Sequence, residues 1–573
     1  MGLAPIYNPT TMSDYRFSRR YFFYGGLLAG AVPAGGFGST PSLLQVGYKS
    51  PNEKLNVAGI GAGNQALGDL RSVAQSENIV ALADVDDRRA GQGFTTWPTA
   101  NRYRDFRKML DKEGKTIDAV VIAIPDHNHA YAALWCMERG KHVYVEKPLT
   151  RTPWEARMMT RAAEKYGVAT QMGNQGHSSE AARVACEIVW SGEIGDVTEI
   201  HSWNGYPSWP QGMQTIPPEE PVPPTMDWDL WLGTAAWRPY TSGGFDDLVR
   251  NGTAGNLTTA YAGGFYQPFN WRGFFDFGSG LLGDWGIHIF GPANQSLRLG
   301  NPISVECIKQ EGKSPFTYPQ KCVIKYEFGA RGNMPPVTLY WYDSVPGNAY
   351  FPPGMPIADN RVDATIGPTP GGAGRGGAAG APGAARGGAA PGGATGAPGA
   401  ARGGAAPAGA TAGRGAAGRG GGGGGTGAAQ GWPGGNPFLP GRGGSGGAAQ
   451  PPSSGDNQIL VGTKGFLATR GHGDGVRLLP NARWADYKLP TQVLTRSPGH
   501  QRDWIRACKG GDPACSNFSY AGPFTEWVVL GAISVHFEGK LLWDPAKMEF
   551  TNNKEATRYI KPAFRAGWEI KEA

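Results

Sequence analysis

Residues 118–148 read DAVVIAIPDHNHAYAALWCMERGKHVYVEKP, and this stretch decides the fold class. It contains an apolar run from Asp118 to Pro125, a helix-compatible segment from about His129 to Gly140, and a second apolar run that ends in Glu146-Lys147-Pro148. A strand, a helix and a second strand in this order indicate two parallel strands. Because functional residues of parallel sheets gather at the carboxyl ends of the strands, we expect both strand ends to face one crevice.

A glycine-rich turn upstream supplies the other half of this crevice. The apolar run Leu55 to Ile60 leads into Gly61-Ala62-Gly63-Asn64-Gln65-Ala66, a G-x-G-x-x-A turn that opens a helical segment reaching about Gln75. The glycines let the backbone approach a diphosphate, which the helix amino terminus stabilises. A second strand, Asn78 to Val85, places Asp84 about 20 residues beyond the glycines, where a carboxylate accepts hydrogen bonds from an adenosine ribose. The sequence therefore predicts a dinucleotide site.

The acid at the end of the second strand bears on the choice of cofactor. Asp84 favours NAD because its charge repels a 2′-phosphate, whereas Arg88 and Arg89 just beyond it leave NADP open. The residues that we predict to bind the cofactor are Gly61, Gly63, Asn64, Gln65, Asp84, Pro125, His129, Glu146 and Lys147.

Two residues further along have the spacing of a catalytic pair. Asp284 and His288 are four residues apart, so on a helix they share one face. Hydride transfer from a secondary alcohol needs a base for the hydroxyl proton, and a histidine with an ordinary pKa of about 6.5 suits that role. Lys147 would donate a hydrogen bond to the same oxygen, and Asp284 would orient the substrate. The alternative is that Asp284 caps a helix and His288 is a buried structural histidine.

Together these motifs resemble a known family. The glycine turn, the acid after the second strand and Glu146-Lys147-Pro148 look like those of the glucose-fructose oxidoreductase and inositol dehydrogenase (Gfo/Idh/MocA) family. The segment NWRGFFDFGSGLLGDWGIHIF, residues 270–290, is similar to the D-x-x-x-H active-site helix of that family. The resemblance covers roughly residues 52–350 and 456–550, and Ala66 departs slightly from the third glycine of the motif.

The resemblance implies an NAD(P)-dependent oxidoreductase that acts on CH–OH groups. It carries the three catalytic roles over to Lys147, Asp284 and His288. It also brings to mind NAD-dependent glycosidases, in which bound NAD transiently oxidises the sugar, and relatives that have become non-catalytic sugar sensors. These three functions remain open from the residues, and the oxidoreductase acting on a sugar or cyclitol is the leading interpretation.

Other polar and aromatic residues are candidates for further contacts. The run Asp126-His127-Asn128-His129 has metal-ligand residue types but no obvious third partner, so we predict no metal. We predict that Gln175, His177, Trp271 and Arg272 bind the substrate. Loop structure for the first two, and plain core packing for the tryptophan, are the alternatives.

Charge and composition exclude one class of partner. The formal net charge of +7 is misleading, because residues 364–455 carry six arginines and no Asp, Glu or Lys, and residues 1–50 add a net +3. The remaining chain has a charge of about −2, which lacks the basic signature of nucleic-acid binding. We expect a small-molecule carbohydrate substrate and a homo-oligomer.

The amino terminus is typical of an export signal. Ser18-Arg19-Arg20-Tyr21-Phe22-Phe23 resembles the twin-arginine motif, and an apolar, glycine-containing run, residues 25–37, follows it. The motif predicts export through the twin-arginine machinery to the periplasm. Since that pathway moves folded proteins, we expect NAD to be loaded before export and tightly bound.

The rest of the chain is expected to form a second domain with an interruption. Residues 362–455 are almost all Gly, Ala, Pro and Arg, a composition that predicts a disordered insertion. Strands before and after it, and helices at His500 to Cys508 and Phe524 to Phe537, predict an α+β domain with a largely antiparallel sheet. The predicted boundaries are 1–50 signal and linker, 51–174 Rossmann domain, 175–361 and 456–573 substrate domain, and 362–455 insertion.

The six cysteines leave two possibilities. Cys508 and Cys515 flank a short segment that a disulfide would close into a loop. Folding in a reducing cytoplasm before export favours free thiols instead.

Overall fold

The computed structural model describes residues 53–205, 209–255, 264–343 and 456–572. The predicted export signal, residues 1–50, and the predicted insertion, residues 362–455, lie outside these ranges. Both therefore stay predictions.

The first sheet has six parallel strands in the order β3-β2-β1-β4-β5-β6. Its strands are β1 (Asn56–Ile60), β2 (Asn78–Ala83), β3 (Asn101–Tyr103), β4 (Ala119–Ile122), β5 (His142–Glu146) and β6 (Thr170–Gly173). The central strands are short runs of buried Val, Ile and Ala, as expected where helices cover both faces of a sheet. The order reverses between β1 and β4, which is where doubly wound folds bind dinucleotides. The predicted Rossmann domain is confirmed.

Helices connect these strands and begin at residues suited to that position. They are α1 (Asn64–Val73), α2 (Asp87–Thr96), α3 (Phe106–Glu113), α4 (His129–Glu138) and α5 (Pro153–Tyr166). The last of them starts with a capping box, in which the Thr152 and Glu155 side chains each accept the other's backbone N–H, and it ends at the left-handed Gly167.

The second sheet has nine strands in the order β13-β12-β11-β7-β10-β9-β8-β14-β15. Its strands are β7 (Val197–Asn204), β8 (Ser304–Glu311), β9 (Lys321–Phe328), β10 (Val337–Asp343), β11 (Asp456–Gly462), β12 (Gly465–Arg470), β13 (Val476–Leu479), β14 (Leu541–Asp544) and β15 (Glu549–Phe550). Only β7 and β10 pair in parallel among these described strands. Since β10 and β11 both pair with β7, the chain on either side of the undescribed segment 344–455 belongs to one sheet, and the prediction of a largely antiparallel second sheet is confirmed.

The remaining helices pack against the two sheets. They are α6 (Glu180–Trp190), α7 (Trp228–Leu232), α8 (Phe245–Arg250), α9 (Gly280–Ile289), α10 (Gly291–Leu297), α11 (Asn481–Ala485), α12 (His500–Cys508), α13 (Phe518–Ser534) and α14 (Lys554–Thr557). Helix α12 has the predicted bounds and packs Trp504 against Tyr144 in β5. A helix from the far end of the chain thus covers the Rossmann sheet.

The start of α13 differs from the prediction. The sequence predicted a helix from Phe524 to Phe537, which begins directly after Pro523. In the structure the helix begins at Phe518, where the Asn517 side chain accepts a hydrogen bond from the backbone N–H of Ser519, and it continues through the proline. Burial of both phenylalanines outweighs the one backbone hydrogen bond that a proline forgoes.

The six cysteines, all in the described part of the chain, are free thiols. Of the two that were candidates for a disulfide, Cys515 has its sulfur 3.1 Å from the hydroxyl oxygen of Ser178, a hydrogen-bonding distance.

Candidate active site

The predicted cofactor end of the site is the turn after β1. Gly61 has a φ of +92°, and a Cβ there would lie 2.5 Å from the backbone oxygen of Ala123, so only glycine fits. Gly63 caps α1 without a side-chain hydrogen bond, and the first turn of the helix carries no acidic residue. Asn64 and Gln65 are exposed at this end. A helix amino terminus with these properties fits an anionic diphosphate.

The predicted ribose ligand lies against the same turn. The Asp84 carboxylate accepts the backbone N–H of Ala62 at 2.9 Å and that of Asp86 at 3.0 Å. Burial raises its pKa to about 6. Each oxygen accepts one of these bonds and keeps a further lone pair for a ribose hydroxyl. Arg89, which was considered for a 2′-phosphate, donates to the side chain of Gln267 at 2.7 Å.

The residues after β4 are tied to their neighbours. Pro125 precedes a single 3₁₀ turn, residues 126–128, that leads into α4. The two ring nitrogens of His129 lie 2.9 Å from the carbonyl oxygen of Pro148 and 2.7 Å from that of Ile124. The ring therefore links the ends of β4 and β5, and burial lowers its pKa to about 4.

The centre of the site is an ion pair between the two domains. Lys147 Nζ donates to Asp284 Oδ1 at 2.8 Å, and Arg272 Nε donates to the same oxygen at 3.1 Å. The Asp284 side chain is 6% exposed, while those of its partners are 15% and 16% exposed. Although burial raises the pKa of Asp284, the two cations outweigh it and hold the pKa below its usual range. Asp284 is therefore ionised, and it orients both cations.

Asp126 is a second acid in this cluster, and the sequence, which named it only within a run of metal-ligand residue types, did not reveal its place in the site. It is 2% exposed, and Ser279 Oγ lies 3.4 Å from its carboxylate. Burial raises the pKa of Asp126 well above its usual range, against the attraction of Arg272 and Lys147. The raised pKa favours the neutral form of Asp126, so the two cations at the centre of the site face Asp284 as their ionised partner.

His288 lies on the same helix as Asp284. It is buried, and its Nδ1 has no hydrogen-bond partner among the described residues. Burial, with Lys147 and His472 beside it, holds the pKa of His288 well below 6.5. The ring is therefore neutral near pH 7 and can accept a proton.

His472 is the second residue of the site that the sequence did not reveal. It lies in the turn between β12 and β13, is exposed, and its ring centroid is 4.8 Å from that of His288 and 4.9 Å from that of Trp285. A small cavity borders these residues and is lined by Asn174, Gly176, His177, Ile287, His288, Gly291, Pro292, His472 and Gly473. The sequence did not indicate a role for His472, because this residue belongs to no recognisable motif and lies far along the chain from the other residues of the site.

The predicted substrate residues fall into two groups. Gln175 Nε2 donates to Glu146 Oε1 at 2.7 Å, and His177 is buried and stacks on Tyr520 at 4.5 Å. Arg272 lies over the Trp271 ring at 4.2 Å, which holds its guanidinium toward Asp284. The structure thus brings Arg272 to Lys147 and gives Gln175 a role in fixing Glu146.

Two further findings apply to the described residues alone. No group of three or more His, Cys, Asp or Glu side chains there is arranged to hold a metal ion. No helix in the described ranges is long and apolar enough to cross a membrane.

The chain has recognisable relatives. Levoglucosan dehydrogenase of Pseudarthrobacter phenanthrenivorans is 28% identical over 175 residues, which cover 28% of this chain and 44% of the relative. Inositol 2-dehydrogenase of Rubrobacter xylanophilus is 29% identical over 160 residues, covering 27% and 45%. The chain thus matches less than half the length of these curated relatives.

A solved structure and a family model also match. The aldose-aldose oxidoreductase of Caulobacter crescentus, complexed with glycerol, is 12% identical with a TM-score of 0.45, over 86% of this chain and 100% of that one. The model of the GFO_IDH_MocA oxidoreductase family, described as an NAD-binding Rossmann fold, matches residues 55–174. Residues 55–174 therefore form a Rossmann domain that matches the NAD-binding model of the GFO_IDH_MocA family.

Proposed function

We propose that the whole chain is an NAD-dependent oxidoreductase that transfers hydride between nicotinamide and a secondary hydroxyl of a sugar or cyclitol. The observation that carries this proposal is the 2.8 Å ion pair between Lys147, at the end of the Rossmann strand β5, and Asp284 on α9. It places charged groups from both domains at the edge of the sheet where doubly wound folds bind their ligands.

The charges of the site suit a developing alkoxide. NAD, when bound, accepts the hydride from the carbon that carries the hydroxyl. Lys147 donates a hydrogen bond to the hydroxyl oxygen, and the excess positive charge of Lys147 and Arg272 stabilises negative charge there. His288, which is neutral near pH 7, accepts the hydroxyl proton.

The lining of the site suits a polyhydroxylated ring. Trp285 offers an aromatic face beside His472, and Asp284 and Arg272 offer an acceptor and donors at short range. Curated relatives that act on levoglucosan and on inositol support the same substrate class.

Export and assembly are part of the same proposal. The twin-arginine motif at Arg19 and Arg20 supports export to the periplasm, and we further propose that the protein works as a homo-oligomer with tightly bound NAD. Fractionation of cells that express the full chain, compared with the Arg19→Lys/Arg20→Lys variant, tests export. Equal periplasmic amounts of both proteins would contradict it.

The test of the activity starts with the purified full chain and its bound nucleotide. We would identify that nucleotide by mass spectrometry, then incubate the protein with NAD and myo-inositol, levoglucosan or D-glucose. Sustained NADH formation with one of these, and deuterium transfer to NAD from a carbinol-deuterated substrate, support the proposal. Product formation without net NADH would favour the redox-neutral glycosidase or lyase chemistry. Absence of nucleotide binding would overturn the proposal and favour a sensor.

A further inference from the structure

A pair of buried carboxyl groups lies beside the site, between α1 and the end of β5. Asp69 is 2% exposed and Glu146 is 6% exposed. The side-chain nitrogen of Gln65 lies 3.3 Å from both oxygens of Asp69 and 3.4 Å from Glu146 Oε1. Because one amide nitrogen reaches both carboxyl groups, the two acids are close neighbours, and a proton shared between them would relieve the repulsion of their charges.

The other partners of the pair are nearly all neutral. Gln501 Nε2 donates to Asp69 Oδ1 at 3.1 Å, and Gln175 Nε2 donates to Glu146 Oε1 at 2.7 Å. The Tyr144 hydroxyl donates to Glu146 Oε1 at 3.5 Å. With Gln65, three glutamine side chains from α1, α12 and the turn after β6, together with the Tyr144 phenol of β5, therefore converge on the pair.

The titratable groups around the pair are two neutral rings and one cation. Burial, followed by the two acids, raises the pKa of Tyr144 well above 10, so the phenol is neutral. His500 of α12, whose ring is 5.8 Å from that of Tyr144, has a pKa lowered to about 4 by burial and is neutral as well. The charge of Lys147, whose ammonium donates to Asp284 at 2.8 Å, opposes the effect of burial on the pKa of Glu146 but does not outweigh it.

Burial therefore favours a single charge on the two acids. It raises the pKa of both carboxyl groups, and the neighbouring Glu146 charge raises that of Asp69 further. Two adjacent carboxylates cannot both ionise without a large electrostatic cost. The raised pKa values and the closeness of the two acids therefore favour one shared proton over full ionisation of the pair.

We propose that Asp69 is a positioning residue of the cofactor site, which supplies the shared proton that holds Glu146 and limits the pair to one negative charge. Glu146 is held from three directions, since its Oε1 accepts from Gln175 and from Gln65 and its Oε2 accepts the backbone N–H of Lys147 at 3.2 Å. Fixing Glu146 therefore fixes the backbone from which Lys147 extends. This inference rests on the proposed binding of NAD.

The shared proton links cofactor binding to pH. Asp69 lies five residues beyond Asn64, on the helix whose amino terminus fits the diphosphate. A second negative charge at that distance opposes the binding of an anionic ligand. NAD therefore binds the protonated pair, and by linkage its Kd rises as the pair ionises, approaching tenfold for each pH unit.

The experiment measures the Kd of NAD for the full chain by calorimetry between about pH 6 and 9.5. The wild-type Kd is expected to be constant at the acid end and to rise at the alkaline end. Asp69→Asn, whose amide still donates to Glu146 but does not titrate, should bind NAD with a Kd that does not change with pH. Asp69→Ala should bind more weakly at every pH. Asp118→Asn, at the opposite end of the sheet where Asp118 accepts the backbone N–H of Asn56 at 2.8 Å, should keep the wild-type profile.

Two results would overturn the inference while leaving the proposed function intact. They are a wild-type Kd that does not depend on pH, and an alkaline rise that persists in Asp69→Asn. No NAD binding at any pH would overturn the cofactor proposal together with this one. If Asp69→Asn does not fold, the test is made on the wild type. NAD is titrated calorimetrically at about pH 8.5 in buffers of different ionisation enthalpy, because binding to the protonated pair must take up protons at that pH. Binding without proton uptake would refute the role of the pair.

Discussion

Glu146 and Lys147 are neighbours at the end of one strand, yet they serve two buried carboxyl clusters of opposite character. Asp284 lies between Lys147 and Arg272, and these cations lower its pKa. Asp69, beside Glu146, has only amide donors and an acid as partners, and its pKa is raised. Burial is nearly complete for both aspartates, at 4% and 2% exposure. The comparison shows that the partners of a buried acid decide its protonation state.

The comparison assigns different work to the two clusters. The ionised Asp284 cluster orients cations toward the reacting oxygen, so its loss should affect turnover. The Asp69 cluster, whose raised pKa favours a shared proton, includes a residue of α1, the helix whose amino terminus fits the diphosphate, so its loss should affect NAD affinity. The following variants are designed to break or sharpen this division.

The two largest expected effects are on turnover, and the first of them is that of Lys147→Ala. Removal of the donor from the reacting oxygen should lower kcat by roughly 10²- to 10³-fold, whereas NAD affinity should change little. Steady-state rates on the substrate identified above, with NAD binding measured in parallel, check this. Lys115→Ala, a change at an exposed lysine, is the control and should keep full activity. Equal activity of both variants would remove Lys147 from the site.

His288→Ala tests the proposed base. A positioned base contributes roughly 10²- to 10⁴-fold to turnover, so a loss in this range is expected while NAD still binds. Since Lys147 and His288 act on one oxygen, the double variant should lose far less than the product of the two single losses. Rate measurements on the two single variants and the double variant test this. If the loss of turnover in the double variant equals the product of the two single losses, the two residues act independently.

Asp284→Asn tests the electrostatics of the central cluster. The change leaves the largely buried cations Lys147 and Arg272 with a neutral partner. Removing one partner of a buried ion pair lowers the free energy of unfolding by about 3–5 kcal/mol. The folded pKa of Asp284 is lowered, so its stabilisation is present above the unfolded pKa of about 3.9 and is lost as pH falls toward the folded pKa. Denaturant unfolding at about pH 3 and pH 7 should therefore show a smaller effect of the substitution at pH 3.

Asp69→Asn should show the opposite sign in the same unfolding measurement. Because the folded pKa of Asp69 is raised, its contribution is fully present below the unfolded pKa and is lost as pH rises through the folded pKa. The substitution should therefore be increasingly favourable relative to wild type as pH rises from about 4. Parallel pH dependences for the two variants would contradict the division between the clusters.

The smallest expected effect concerns His472. It is exposed and contacts the site only through Trp285 and His288. His472→Ala should raise KM by roughly tenfold, or about 1.4 kcal/mol of substrate binding, with little change in kcat. Substrate-saturation curves test this, and a loss of kcat as large as that of His288→Ala would instead make His472 part of the chemistry.

Local sequence patterns were sufficient to predict where the residues of the Rossmann half of the site lie in the fold. The glycine turn, Asp84 and Glu146-Lys147-Pro148 each sit at the end of a strand, and the period and order of the strands predict which ends meet. The same holds for Asp284 and His288, since helical spacing alone puts them on one face. These predictions depend on neighbours along the chain.

Residues from distant segments could not be predicted in the same way. Arg272 was predicted as a substrate ligand, but its ion pair with Asp284 depends on how the turn after Phe269 lies against α9. His472 reaches the site only because β12 and β13 join the second sheet next to β11. No spacing in the sequence encodes these contacts.

The sequence by itself determined the order of the elements, the glycine turn and the identity of the acids and cations, because these depend on local backbone and side-chain chemistry. Only the tertiary structure decided the direction in which the pKa of each acid is shifted. Asp69, Asp126 and Asp284 are all buried aspartates, and two have a raised pKa while one has a lowered pKa. The physical reason is that burial penalises the charge of each acid, and at Asp284 two cations in direct contact outweigh that penalty.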